Sequence, residues 1–336
     1  MTTVPLDPSE AERLSESLRP HYSDVLQYDR VLLTAHSHQA WPNVAKAGLL
    51  RSYEDAAEFV DDKWGRVLAV GARVRQGIVD RIGGRIEEVA LGQNTHTLVF
   101  QFLSALDLKE RPHLVTTTGE FHSLHRQLSR LRDTGVDVTF VEAQPVDTLA
   151  ERLASAVRPK TAAVLCSTVL FETSARVPHL RAVVEAAHRH GAEVLLDAYH
   201  AFCTVPFRVE DLPDPVYYVA GGYKYAQWGE GCCFLRAPSD CHLEPVLTGW
   251  FADFAALAAP RDGRAVTFGQ TPADRFAGST FDPASHYRAA AVLDFHDREG
   301  LSVERLRALS LAQSARLLEG LEGLDVVTPA APERRG

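Results

Sequence analysis

Lys224 lies in the run Val219-Ala220-Gly221-Gly222-Tyr223-Lys224-Tyr225, just after an apolar stretch ending in two glycines, which sets its amine at the end of a buried strand. Upstream, Leu195-Leu196-Asp197-Ala198-Tyr199-His200 brings a carboxylate and an imidazole to the end of another apolar strand. An amine so placed can condense with an aldehyde, and a buried carboxylate can pair with the protonated nitrogen of an aromatic ring. An opposite charge nearby shifts a pKa by about 1 to 3 units, enough to keep such a nitrogen protonated near neutrality.

The cofactor that suits both groups is pyridoxal 5'-phosphate, with Lys224 as the Schiff-base amine, Asp197 on the ring nitrogen and His200 toward the phenolic oxygen edge. Its phosphate needs donors, most simply at a helix start. Gly92-Gln93-Asn94-Thr95-His96-Thr97 follows a strand and opens a helix, so its free N–H groups and Thr95 meet that need. Phe121, just after another strand, can stack on the ring face. Each residue alone equally suits a plain structural role: a surface lysine, a capping aspartate, an ordinary N-cap, a core phenylalanine. The reading rests on the set.

The 336 residues, 46% of them hydrophobic, suffice for one large domain with a smaller appendage. A net charge of -9 leaves no electrostatic footprint for nucleic acid or an anionic membrane, so the expected partner is a small molecule. Five cysteines, an odd number scattered along the chain, make no disulfide framework, and the start lacks a basic-then-apolar signal. The expected location is cytoplasmic. No apolar run reaches the roughly 20 residues needed to cross a bilayer. His36 and His38 lack acidic or cysteine partners at ligand spacing, so no metal is assigned, and the vicinal Cys232 and Cys233 read as structural.

The elements that must position these groups alternate. Asp7-Pro8-Ser9-Glu10 opens a short helical arm. Helices are expected over 74–82, 95–106, 122–133, 146–157 and 178–189, the last with Pro178 in its first turn. Strands are expected near Val89 and over 113–117, 137–141, 161–169, 193–197, 216–220 and 232–235. This predicts an α/β fold, a mostly parallel sheet with helices on both faces and chemistry at the carboxyl ends of the strands. Two further helices, 286–299 and 303–321, and a short strand near Val326 and Val327 are expected to form a smaller C-terminal α+β domain, which reads as incomplete. The expected division is an arm and small-domain segment at 1–60, a large domain at 61–250 and the small domain at 251–336.

The chain resembles the kynureninases, within the class V aminotransferase-like group of fold type I pyridoxal phosphate enzymes. The resemblance rests on Asp197-Ala198-Tyr199-His200, Tyr223-Lys224-Tyr225 and Gly249-Trp250-Phe251, and runs from His36-Ser37-His38 to Pro332-Glu333-Arg334. It implies that Lys224 carries the cofactor, Asp197 meets the pyridinium, His200 supports the ring, Phe121 stacks on it, and Thr95, His96 and Tyr223 contact the phosphate. It implies a homodimer with shared sites, Trp250 and Thr280 reaching phosphate or substrate from the neighbouring subunit, and Ser37 touching substrate. Lys224 and Tyr223 become the catalytic candidates, acting on an amino acid. The implied reaction is hydrolysis of the β–γ carbon bond of kynurenine or a related β-acyl amino acid.

Departures bear on the substrate. Ala226-Gln227-Trp228-Gly229-Glu230-Gly231 replaces a Gly-rich stretch and is expected to set Trp228 and Glu230 beside the cofactor. His36-Ser37-His38-Gln39-Ala40-Trp41 replaces a smaller loop, and the arginine that the resemblance implies for the substrate carboxylate would lie beyond Gly336. The alternatives are an aminotransferase or lyase of the same group, or a cofactor-binding protein without catalysis. Desulfurases need a mobile cysteine in the small domain, and no cysteine occurs from residue 250 onward.

Overall fold

The computed structural model describes residues 3–258, 260, 263 and 265–336. In chain order its elements are α1 (Pro8–Leu18), α2 (Ser23–Leu26), α3 (Val44–Phe59), α4 (Trp64–Ile82), β1 (Val89–Gly92), α5 (Thr95–Ser104), β2 (His113–Thr117), α6 (His122–Asp133), β3 (Asp137–Val141), α7 (Leu149–Ala156), β4 (Thr161–Ser167), α8 (Leu180–Arg189), β5 (Glu193–Asp197), β6 (Tyr217–Gly221), β7 (Cys233–Arg236), α9 (Ala284–Arg298) and α10 (Val303–Gly320).

The strands form one sheet in the order β1-β7-β6-β5-β4-β2-β3. All neighbours are parallel except β7, which runs antiparallel to both β1 and β6. The carboxyl ends of β1, β2, β4, β5 and β6 therefore share one edge, and the amino end of β7 joins them there. Every residue of β2, β4, β6 and β7 is buried, as a sheet covered on both faces requires.

Alternation along the strands divides the core in two. Val115, Val164, Val194, Leu196, Tyr218 and Ala220 pack with Val74, Ile78 and Val183 of α4 and α8 on one face. Leu114, Leu165, Leu195, Tyr217 and Val219 pack with Leu98, Phe102, Leu124 and Leu128 of α5 and α6 on the other. The strand period of two thus sorts each strand between two helical layers.

Some expected boundaries shift. α4 begins at Trp64 instead of Val74, because Gly71 and Gly77 occupy its buried face and mask the apolar period. Pro178 lies before α8, whose first residue is Leu180; His179, at φ 58°, separates the two. Val326 and Val327 form no strand, and no strand element follows Arg236 among the described residues. Arg335 makes only an isolated bridge to Ala175. The region after β7 is thus built from helices and turns, so the expected α+β character of that region is not seen. All five cysteines are free and buried.

Residues 1–60 carry α3, which packs on α9 and fixes the N-terminal segment to the body. The helices meet at Gly48, where an added Cβ would lie 2.6 Å from the carbonyl oxygen of Tyr287. Gly48→Ala is therefore expected to destabilise the protein by about 1 to 3 kcal/mol, the usual cost of overpacking against backbone, measurable by urea denaturation.

Candidate active site

The strand-end edge gathers the groups that the sequence singles out. A cavity there is lined by Thr95, His96, Phe121, Asp197, His200, Tyr223 and Lys224, together with Asn94, Tyr199, Glu230 and Cys233. They come from four segments, the start of α5, the turn after β2, the end of β5 and the β6–β7 connection running into Cys233 of β7.

Lys224 owes its position to a folded-back loop. Gly222 donates its N–H to the Cys232 carbonyl at 3.0 Å, and Trp228 donates back to the Gly222 carbonyl at 2.8 Å. A Cβ on Gly222 would sit 2.6 Å from that of Trp228, so only glycine permits this approach. The lysine is 5% exposed. Its Nζ donates to the His36 carbonyl at 2.9 Å and lies 5.6 Å from the Phe121 ring centroid and 5.4 Å from that of Tyr223. Burial pulls its pKa below the ordinary lysine value, against the opposing pull of Asp197. A larger share of neutral, nucleophilic amine follows.

Asp197 ends β5, in register with Ser167 of β4 and Val219 of β6. Its Oδ1 accepts the Tyr199 N–H at 2.8 Å. Burial pushes the carboxyl up to about 6, although that N–H and the Lys224 charge oppose the rise. A cation placed against it would reverse the shift. His200 is pushed down to about 3 by burial and by the Lys224 and His36 charges, so its imidazole is neutral at physiological pH. It faces Phe171, with centroids 6.4 Å apart, and approaches Phe121 edge-on.

At the start of α5 the N-cap is Asn94, whose side chain accepts the Thr97 N–H at 2.8 Å. The N–H groups of Thr95 and His96, in the first turn, have no acceptor within the helix. The His96 ring turns toward α6, its Nδ1 2.7 Å from Gln127 Nε2. Tyr223 stacks under His38 at 5.0 Å, and burial raises its phenol, so it stays protonated at neutral pH.

Three expected residues lie elsewhere. Ser37 turns away and donates its hydroxyl to the Thr34 carbonyl at 3.1 Å; the neighbouring His36 and His38 meet the site instead. Trp250 and Thr280 are joined to each other, indole Nε1 to Oγ1 at 3.1 Å, and neither lines the Lys224 cavity within this chain. Trp228 corrects an expectation outright. Its indole is fully buried in the core against Phe202, while Glu230 does line the cavity, 3.6 Å from His38 Nε2.

Sequence reasoning also passed over Glu120. This buried side chain accepts from the Thr117 hydroxyl at 2.6 Å and from the Ser167 hydroxyl and N–H at 2.6 and 3.1 Å. Only its place directly before Phe121 could have marked it. Among the described residues, no group of three or more His, Cys, Asp or Glu is arranged to hold a metal ion. No helix among them is long and apolar enough to cross a membrane.

A family model described as aminotransferase class-V matches residues 73–336. The chain belongs to that family. A kynureninase of Stenotrophomonas maltophilia (strain K279a) is 27% identical over 326 aligned residues, covering 85% of this chain and 74% of that protein. A mitochondrial cysteine desulfurase of Eremothecium gossypii is 22% identical over 181 residues, 53% of this chain and 37% of its own length. Among solved structures, a mutant of C-DES with glycine covalently linked to its PLP cofactor superimposes with a TM-score of 0.82, at 19% identity, over 94% of this chain and 84% of that one. The apo cysteine desulfurase of Thermococcus onnurineus NA1 gives 0.77 at 17% identity, over 96% and 80%. This class-V chain accordingly has the fold type I architecture, an α/β fold around a mostly parallel seven-stranded sheet.

Proposed function

We propose that the protein is a pyridoxal phosphate-dependent hydrolase of kynureninase type, which adds water across the β–γ carbon bond of kynurenine or a related β-acyl amino acid to give alanine and an aromatic acid. The observation that carries this reading is the convergence of Lys224, Asp197, His200 and Phe121 around one cavity, in a chain that is similar to a kynureninase over most of its length.

The donor set fits the cofactor. Lys224 Nζ offers the amine, Asp197 a half-buried carboxylate for a cationic ring nitrogen, Phe121 and His200 flat neighbours for the ring, and the first turn of α5 N–H groups for a phosphate. When bound, pyridoxal phosphate supplies an aldehyde and a ring that acts as an electron sink.

The protein's own residues then have distinct tasks. Lys224 would hold the cofactor's aldehyde carbon and, when free, would serve as base for the substrate's α-proton; its lowered pKa suits both roles. Asp197 would pair with the ring nitrogen and favour its protonated form. The neutral His200 adds no competing charge at the ring edge. Tyr223, protonated at neutral pH, is the candidate proton donor as the products separate. Trp250 and Thr280, which pair away from the cavity, suit a contribution to the neighbouring site of a homodimer.

Desulfuration is disfavoured because it needs a reactive thiolate. Burial raises the thiols of all five cysteines, Cys233 in the cavity wall to about 11. The test is direct. Purified protein with pyridoxal phosphate and kynurenine is expected to release anthranilate and alanine; absence of both rejects the assignment, and a keto acid with the cofactor left as its amine would show an aminotransferase.

A further inference from the structure

Between Lys224 and Trp228 the chain passes through Gln227, whose φ of 63° lies in the left-handed region that residues with a side chain adopt rarely. Its N–H donates to the Lys224 carbonyl at 3.0 Å and closes a turn; its backbone then sends the chain back, so that Trp228 reaches Gly222 at 2.8 Å. A glycine would take this conformation without strain, as Gly229 and Gly231 do at φ 67° and 88°. A strained residue persists only where its surroundings hold it.

What holds it is the side chain. Gln227 Oε1 accepts the Tyr22 hydroxyl at 2.7 Å and lies 3.0 Å from His296 Nε2. Tyr22 belongs to the N-terminal arm, where its ring meets Phe295 edge-on, and burial pushes its phenol up to about 12, so it keeps its proton. An amide oxygen only accepts, so His296 carries its proton on Nε2. This histidine of α9 is 1% exposed and is held neutral by burial and the Arg81 charge; its Nδ1 meets no partner among the described residues. Two donors from elements far apart in the chain thus converge on one oxygen of the lysine's own loop.

We propose that Gln227 is a positioning residue for Lys224: the bonds from Tyr22 and His296 pin its side chain, hold its backbone left-handed and so keep the turn closed with the amine inside the cavity. This rests on the reading of Lys224 given above. Gln227 does not itself line the cavity, so its effect reaches the amine through the turn alone. The N-terminal arm, by way of Tyr22, thereby helps to set the site.

Competitive acetylation of the apoprotein with acetic anhydride over a range of pH, read by mass spectrometry at Lys224 with the exposed Lys46 and Lys109 as references, tests this without cofactor. Gln227→Gly removes both bonds while leaving the backbone free to turn, and is expected to speed Lys224 labelling about tenfold or more. Tyr22→Phe loses one bond, keeps its ring against Phe295 and should give about fivefold. In both, the Lys224 titration midpoint should rise toward those of the references, because burial is what lowers it. The titratable groups facing the amine are Asp197, Tyr199 and His200 after β5, Tyr223 and Glu230 of its own loop, and the neighbouring His36; both variants leave them unchanged. Tyr22→Phe added to Gln227→Gly should change nothing further, since the shared oxygen is already gone. An unmoved rate and midpoint in the single variants overturns the proposal, as do strictly additive effects in the double one. Should Gln227→Gly not fold, Tyr22→Phe decides by the same criterion. A wild type that binds no pyridoxal phosphate ends the functional reading, while the labelling still decides whether Gln227 positions the amine.

Discussion

Lys224→Ala is expected to lower turnover by at least about a thousandfold, because it removes the group proposed to act as both nucleophile and base. The fold should survive. The lost hydrogen bond to the His36 carbonyl is worth only about 1 kcal/mol, and removal of a buried amine offsets part of it. Denaturation midpoints close to wild type would therefore accompany the inactivity. Borohydride reduction with pyridoxal phosphate should fix the cofactor to wild type at the peptide containing Lys224 and leave the variant unlabelled. Added small primary amines should restore some turnover, since the missing group is a base in an accessible cavity. Retained activity in the variant would remove the lysine from the mechanism.

Arg236→Leu is expected to cost about 3 to 5 kcal/mol of stability, a large share of the roughly 5 to 15 kcal/mol typical of a domain. Arg236 ends β7 with its side chain 3% exposed. Its Nε donates to Glu88 at 3.1 Å, its two Nη atoms grip both oxygens of Asp214 at 2.8 and 3.1 Å, and Nη1 also reaches the Val216 carbonyl at 2.9 Å. Glu88, 5% exposed, would keep only the exposed Arg85, at 3.4 Å, as its counterion. Adding Glu88→Leu should return part of the loss, because removing both partners costs less than orphaning one. Strictly additive losses in the double variant would contradict this account. The guanidinium also ties β7 to the residues leading into β6, so cofactor affinity should fall along with stability.

How much was legible follows from how each feature writes itself into the chain. Strands buried on both faces must be continuously apolar, so β2, β4, β5 and β6 and the polar residues at their ends stood out. Helix α3 did not, because it meets α9 through Gly48 and small residues instead of an apolar stripe. Trp228 was misjudged from its nearness to Lys224 along the chain; the return hydrogen bond to Gly222 folds the segment over and drives the indole into the core. Glu120 carried no signal, since a single acid in a turn usually meets solvent. The cavity's composition was thus readable where chemistry coincided with strand ends, and obscure where it depended on loops folding back.

The hydrogen bond from Lys224 to the His36 carbonyl joins two parts that are held in place differently. The lysine, the aspartate and the first turn of α5 are anchored in the sheet, whereas residues 31–41 form an outer wall without strand or helix. That wall can be exchanged residue by residue while the cradle beneath stays intact. Selectivity could therefore drift or be engineered at this rim independently of cofactor retention, which makes it the natural place to retarget the enzyme.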